Sequence, residues 1–408
     1  RGPVPRGRPL ENDVTLLILR SAGGDAASIE TDLLGLSLIE RNAHAAAKAG
    51  FTHVLVAGGD TGGPARTCGG IPVEFTASGN VQLDKTEGPL VVLNGNVLAD
   101  PAWLGKLMAM PVQPGGIAVE NEVAAVIVRD GTGAWPVDPM SAKDAGTFFA
   151  DARTAARHDI EPDRDGRFIL TSAGDRAAAE AWLLGKLIKS GDSLLTLLIN
   201  RRLSMAISRR LVRTGVTPNQ VTVVSVLIGL AGAPFFLYAE PHLQMIGALL
   251  VLIHSIVDGC DGELARLKFQ TSETGMVLDL WGDNVVHVAL FACLGVGWYF
   301  AGGAVWPLLL AASAVGGTLW SAWLVHDDTV RRTEAGSAPH LSSVTAGDGT
   351  RLAKILNGLG NRDFLYGMLA LAFFGKAYWL LPLVAVGSPL FAVGLTAQRR
   401  RKRTQINA

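Results

Sequence analysis

Two textures of apolar and polar positions divide the 408-residue chain. Up to about residue 190, short apolar runs alternate with polar and Gly-rich stretches. The run 14–20 is nearly continuous and predicts a buried strand. Residues 36–49 carry apolar positions at helical spacing and end at Gly50, a favoured helix stop. Residues 52–57, closed by Gly58-Gly59, predict a second strand, 89–93 a third and 123–129 another. Helices are expected at 101–110 and 177–188, whereas 131–139 reads as loop and 159–167 is highly charged. Strand–helix–strand alternation predicts an α/β domain built on a mainly parallel sheet.

Beyond residue 190 the apolar runs lengthen. A bilayer core needs about 20 mostly apolar residues per helix. Six spans are expected, at 219–239, 242–265, 276–301, 304–325, 363–377 and 379–396. Residues 192–213 place Leu194, Leu197, Leu198, Leu203, Ile207 and Leu211 at helical spacing with arginines between them. That pattern predicts an interfacial amphipathic helix on a membrane surface. An ordinary soluble linker helix would show the same spacing. The domains expected are 1–176, a linker and amphipathic helix at 177–217, a membrane domain at 218–400, and a basic tail at 401–408.

Charge sharpens the division. Lys+Arg and Asp+Glu are 36 each, and the resulting zero hides a split. Residues 1–190 hold 18 basic and 23 acidic side chains, and 191–408 hold 18 and 13. The balance argues against a nucleic-acid binder, and the apolar content against a disordered chain. Basic residues of the second half alternate between loops. Arg201, Arg202, Arg209, Arg210 and Arg213 precede the first span, Arg266 and Lys268 follow the second, and Arg331, Arg332, Arg351, Lys354 and Arg362 follow the fourth. The stretch 399–403 closes the chain with five more. The positive-inside rule puts these loops and both ends of the membrane domain in the cytoplasm, which an even number of spans allows. Cys68, Cys260 and Cys293 are too scattered for a disulfide framework. Residues 1–13 are polar and hold no apolar core of a signal peptide.

Asp258, Asp261, Asp279 and Asp283 interrupt the second and third spans at their cytoplasmic ends. Insertion costs about 2.5–3.5 kcal/mol for an Asp at a helix centre and less toward the ends. Asp258 and Asp261 are i,i+3 and share a helix face; Asp279 and Asp283 are i,i+4 and share another. A short loop makes the two helices antiparallel neighbours, so the acidic faces converge. Hard oxygen donors in that number suit Mg²⁺ or Mn²⁺, and two ions would suit four carboxylates and a diphosphate. Gly259, Gly262, Ala265 and Gly275 let a ligand approach the backbone. The plainer alternative is that some of these aspartates cap helix ends or pair with Arg266.

The string Asp258-x2-Asp261-Gly262-x2-Ala265-Arg266-x8-Gly275-x3-Asp279-x3-Asp283 resembles, at all eight specified positions, the signature of the CDP-alcohol phosphotransferase family. The resemblance covers about 195–400. It implies transfer of a phosphoalcohol from a CDP-linked donor to a hydroxyl, with release of CMP. It implies that Asp258, Asp261 and Asp279 hold metal, and that Asp283 completes the metal shell or acts as general base. It assigns Gly262, Ala265, Arg266 and Gly275 to the nucleotide. The implied partners are a CDP-diacylglycerol or CDP-inositol-like donor, an acceptor such as an inositol or glycerol phosphate, membrane lipid and a second copy of the chain. Arg331, Arg332 and Arg362 are weaker candidates for an acceptor phosphate, or are snorkelling anchors. His254 and His287 are read as supporting or packing residues, Asn219 as a possible reach toward the nucleotide, and Cys260 as chemically silent.

The first half resembles the sugar-phosphate nucleotidyltransferase fold. LSLIERNAHAAAKAGFTHVLV at 36–56 is similar to that family's segment after the nucleotide loop, and VVLNGN at 91–96 stands where a strand ends in a metal-binding Asp. Fusion of the two resembles the bifunctional inositol-1-phosphate cytidylyltransferase/di-myo-inositol-phosphate-phosphate synthase type. This chain departs from it. The first loop, 20–25, is RSAGGD, no Lys precedes Lys48, and Asn96 replaces the metal Asp. A neutral amide is a poor Mg²⁺ anchor beside a triphosphate. The expectation is therefore a degenerate nucleotidyltransferase-like (Rossmann-like) domain followed by an all-α polytopic membrane domain of six helices. Asp60 reads as a leftover ligand or a turn residue. The alternatives are a bifunctional enzyme that makes its own CDP-inositol from CTP, and a cation-coupled transporter using the four aspartates.

Overall fold

The computed structural model describes residues 14–20, 30–57, 65–76, 88–139, 142, 144–156, 158–188, 196–334 and 364–406. Asp60, the loop 21–29, the start of the amphipathic stretch at 192–195, and Arg351, Lys354, Arg362 and Asp363 lie outside the described residues. The chain forms two compact units, Arg1–Gly185 and Lys186–Ala408.

The first unit is a mixed sheet with helices. Its centre is parallel: β1 (Thr15–Leu19) lies between β4 (His53–Ala57) and β7 (Leu90–Asn94), and β6 (Ile71–Thr76) continues beyond β4. The flanks reverse direction. β5 (Arg66–Cys68) is antiparallel to β6, and β10 (Ala124–Ile127) is antiparallel to both β7 and β9 (Ile117–Glu120). The expected mainly parallel sheet thus holds for the core and gives way to hairpin-type pairing at the edges. β1, β7, β9 and β10 are buried throughout, so they read as apolar runs and not as alternation.

Helix α1 (Leu38–Ala49) starts two residues later than the apolar spacing predicts. Ser37 caps it: its hydroxyl accepts the Glu40 N–H at 3.3 Å, and Glu40 Oε2 accepts the Ser37 N–H at 2.9 Å. Leu36 and Ser37 are left to pair as β3 with β2 (Asp32–Leu33). Gly50, at φ 103°, closes the helix in the left-handed conformation that favours glycine. Helix α2 (Pro101–Met108) starts on Asp100, whose carboxylate accepts the Ala102 N–H at 2.8 Å. Helix α3 (Ala145–Ala155) lies in a stretch where sequence spacing predicted none, and packs Phe148 and Phe149 on one face of the sheet. A short strand pair, β8 (Val97–Ala99) with β12 (Arg167–Ile169), and helix α4 (Arg176–Gly185) complete the elements used below, with β11 (His158–Asp159) at the sheet edge.

The second unit is helical. Among the described residues, five helical segments are long and apolar enough to cross a membrane: Pro218–Leu237, Pro241–Leu267, Glu273–Gly302, Trp306–Arg331 and Ala377–Arg400. They contain α6 (Pro218–Gly232), α7 (Pro241–Leu267), α8 (Glu273–Gly302), α9 (Trp306–Glu334) and α11 (Leu381–Ile406). Between the last two lies α10 (Phe364–Phe373), apolar but only 10 residues long among those described. A packed centre of Phe236, Val251, Leu290, Leu294, Met368 and Leu381 holds the bundle. Leu227, Phe300, Leu309, Phe373, Trp379 and Leu383 point outward, a lipid-facing exterior for a membrane bundle.

Before the bundle, a π-helical turn (Thr196–Asn200) leads into α5 (Arg201–Leu211). Its packed face is the polar one. Arg201, Ser204 and Ser208 are buried, while Leu198 and Leu203 are exposed beside Arg202, Arg209 and Arg210. Leu198, Ile199 and Leu203 thus form an exposed apolar patch beside the arginines.

Candidate active site and metal centre

Three helices build the site. Helix α6 begins with Pro218 at its first position and a capping box, Gln220 N–H to Thr217 Oγ1 at 3.4 Å and Thr217 N–H to Gln220 Oε1 at 3.0 Å. Helix α8 begins on Ser272, whose hydroxyl accepts the Gly275 N–H at 3.0 Å. The connection from α7 is only Lys268–Ser272, and the Lys268 ammonium straps it to the Thr214 and Val216 carbonyls at 2.7 and 2.8 Å. The caps and strap fix the three helix ends at the same mouth.

Asp258, Asp261 and Asp279 meet there. Each offers a carboxylate oxygen, and the three oxygens lie within 4.8 Å of one another. Asp258 and Asp261 are buried and Asp279 half-buried. Asp261 is held on both oxygens: the Thr222 hydroxyl donates to Oδ2 and the Gly262 N–H to Oδ1. Asp283, one turn further along α8, lies outside this group of three and faces His254, with Nε2 3.5 Å from Oδ1. Buried carboxylates this close repel unless a cation joins them, and hard oxygen donors match Mg²⁺ or Mn²⁺. The residues present therefore fit a divalent metal.

The nucleotide candidates sit at the same mouth. The Arg266 guanidinium folds back so that Nη1 would lie 3.3 Å from a Cβ added at Gly262. Such an atom at Gly275 would come within 2.9 Å of both Asn219 Oδ1 and Ser272 Oγ, so α6 and α8 approach closely only because residue 275 lacks a side chain. Ala265 is half-buried, one turn beyond Asp261 on α7. Arg331 pairs with Asp327 at 3.1 Å, and Asp327 also accepts from Arg399. His287 packs against Phe291 and Phe364 at 5.9 Å. Cys260 is buried, its Sγ 3.5 Å from the Ser204 carbonyl.

Residues 215–388 match the CDP-alcohol phosphatidyltransferase family. Over this stretch the chain is similar to that family. The match covers the site helices and most of the bundle. Bifunctional IPC transferase and DIPP synthase of Rubrobacter xylanophilus is 39% identical over 145 residues, 35% of this chain and 32% of that protein. The protein of the same description from Thermococcus kodakarensis is 38% identical over 117 residues, 27% of this chain and 26% of its own length. The matched part thus spans a quarter to a third of these relatives. Phosphatidylinositol phosphate synthase of Mycobacterium marinum is 29% identical over 202 residues, 47% of this chain and 80% of that protein. Among solved structures, Mycobacterium tuberculosis phosphatidylinositol phosphate synthase with CDP-DAG bound is 24% identical and covers 48% of this chain at a TM-score of 0.33.

Sequence spacing missed what α6 adds to the site. Thr222 and Ser225 are buried polar residues in an otherwise apolar span, one turn apart, and Asn219 precedes them by another turn. That polar stripe is the signal that finds them. Glu263 was also passed over, because it occupies an unspecified position of the signature.

Proposed function

We propose that this chain transfers a phosphoalcohol from a CDP-alcohol to a hydroxyl acceptor and releases CMP, at the cytoplasmic mouth of a six-span domain. The observation that carries the reading is the group of three carboxylates with ligand oxygens within 4.8 Å of one another. Asp258, Asp261 and Asp279 would hold the metal. When bound, divalent ions neutralise the donor diphosphate and stabilise CMP as it leaves.

The chain's own residues do the rest. Thr222 and the Gly262 amide fix both oxygens of Asp261 before substrate arrives. Gly262, Ala265 and Gly275 leave room for the nucleotide, and Arg266 offers a guanidinium to its phosphates. The acceptor oxygen attacks the phosphorus that bears the alcohol. The bond from that phosphorus to the CMP oxygen breaks, and Asp283 takes the hydroxyl proton. Asp283 stands apart from the close trio, which supports a base over a fourth ligand.

CDP-diacylglycerol and CDP-inositol-like donors, inositol or glycerol phosphate acceptors, a homodimer and a cytoplasmic orientation belong to the same proposal. Arginines at the site end of the bundle support the orientation. The proposed nucleotidyltransferase-like fold of the first unit is degenerate. Asn94 and Asn96 stand at the carboxyl end of β7 where ligands of parallel sheets bind, and both are uncharged. CTP with inositol phosphate is accordingly expected to yield no pyrophosphate. A transporter would favour acids near the midplane, not at one mouth.

The test is a donor–acceptor screen on the purified chain with Mg²⁺ or Mn²⁺, read by CMP release. Release that needs metal, donor and acceptor together supports the reading. No CMP from any pair in the screen overturns it.

A further inference from the structure

Resting on that reading, we propose that His254 is the positioning residue that aims the Asp283 carboxylate. A histidine within a membrane span is costly unless its ring nitrogens have work to do. His254 is 3% exposed. Its Nδ1 lies 2.9 Å from the Ser225 carbonyl, which only accepts, so Nδ1 carries the hydrogen and the ring plane is set by α6. The other nitrogen then faces Asp283 Oδ1 at 3.5 Å. A histidine kept for packing alone would be satisfied by the carbonyl and would not need a carboxylate on its far side.

The surroundings are shaped for this ring. A Cβ at Gly229 would lie 3.0 Å from His254 Cγ and 2.6 Å from Val286 Cγ1. His254 stands one turn before Asp258 on α7, and Asp283 one turn after Asp279 on α8. The pair therefore forms the next layer behind the carboxylate group. Helix α6 supports both layers, through Thr222 on Asp261 and through the Ser225 carbonyl on His254.

The experiment compares wild type, His254→Ala, His254→Gln and Gly229→Ala, each as the full chain in detergent with Mn²⁺. It reads kcat, KM for donor and acceptor, Mn²⁺ affinity and melting temperature. Misplacing a reacting group by about 1 Å costs about 100-fold. His254→Ala is thus expected to lower kcat by about 10- to 100-fold while donor KM and Mn²⁺ affinity hold. His254→Gln, whose amide nitrogen takes the place of Nε2 and can donate to Asp283, recovers part of that loss. Gly229→Ala crowds the ring without removing it and lowers kcat in the same way, which decides the matter if His254→Ala does not fold. Wild-type kcat in His254→Ala or, where that variant does not fold, in Gly229→Ala overturns the inference alone. So does a fall in melting temperature, Mn²⁺ affinity and kcat together, unrelieved by Gln. Absence of CMP release from wild type overturns the functional reading and this inference with it.

Discussion

The two sides of α7 treat buried carboxylates in opposite ways. On one side Glu263 is fully buried and met by three donors of α5: Arg201 Nη1 at 3.0 Å, Ser204 Oγ at 2.7 Å and Ser208 Oγ at 2.7 Å. On the other, Asp261 is also held by the Thr222 hydroxyl and the Gly262 N–H, yet it gathers with Asp258 and Asp279 into one group of acids. The first arrangement closes on itself and pins the surface helix to the bundle. The second gathers acidic side chains at one mouth, the arrangement on which the proposed metal site rests. Burial alone therefore does not mark a functional carboxylate; what it faces does. The first unit repeats the closed arrangement, where buried Glu120 meets the Arg167 guanidinium, with Nε 2.6 Å from Oε1. Burial pushes the Glu120 carboxyl above its ordinary value, and Arg167 pulls it back.

The comparison breaks most visibly at Asp279. Asp279→Asn removes one of the three gathered acids and is expected to abolish CMP release while leaving the melting temperature near wild type. Full activity in this variant would sink the catalytic assignment. On the closed side, Glu263→Ala takes the buried carboxylate away from Arg201, Ser204 and Ser208. Breaking such a pair costs about 3–5 kcal/mol. A lowered melting temperature is expected, with CMP release falling only as folded protein is lost. An unchanged melting temperature with lost turnover would place Glu263 in the chemistry instead. Thr222→Val tests the support given to the open side. Loss of such a supporting hydrogen bond typically weakens metal binding about 10- to 100-fold, and a Mn²⁺ titration measures it. Wild-type affinity would make the Thr222 contact incidental.

The smallest effect lies in the first unit. Hydrogen bonds from Thr132, Lys106 and Thr171 hold Asp130, Asp163 and Asp175 below the usual carboxylate value. A depressed folded value gives stability present above the unfolded value and lost as pH falls through the folded one. Hydrogen-exchange protection factors within Arg1–Gly185 of the full chain, corrected for the pH dependence of intrinsic amide exchange, should therefore fall modestly below about pH 4. Protection factors that rise on acidification would reverse the sign.

The aspartate spacing carried most of the site, because i,i+3 and i,i+4 intervals fix a helix face before any tertiary structure is known. Helical periodicity also found α1, and the length of the apolar runs found the membrane helices. Residues whose roles depend on a neighbouring helix were not legible in this way. Thr222, Ser225 and Glu263 act only across packed surfaces, and His254 gains its meaning only when α6 and α8 close on it. The edge strand β5 and the strand β9 next to the other edge were lost for a related reason. Their pairing partners, not their own short patterns, make them strands.

Direct Mn²⁺ binding tests the contrast between the two sides of α7 most squarely. Wild type, Asp279→Asn and Glu263→Gln would be titrated side by side, with free Mn²⁺ followed by electron paramagnetic resonance. The account predicts that wild type and Glu263→Gln bind alike and that Asp279→Asn loses binding. Equal binding by Asp279→Asn and wild type would contradict it.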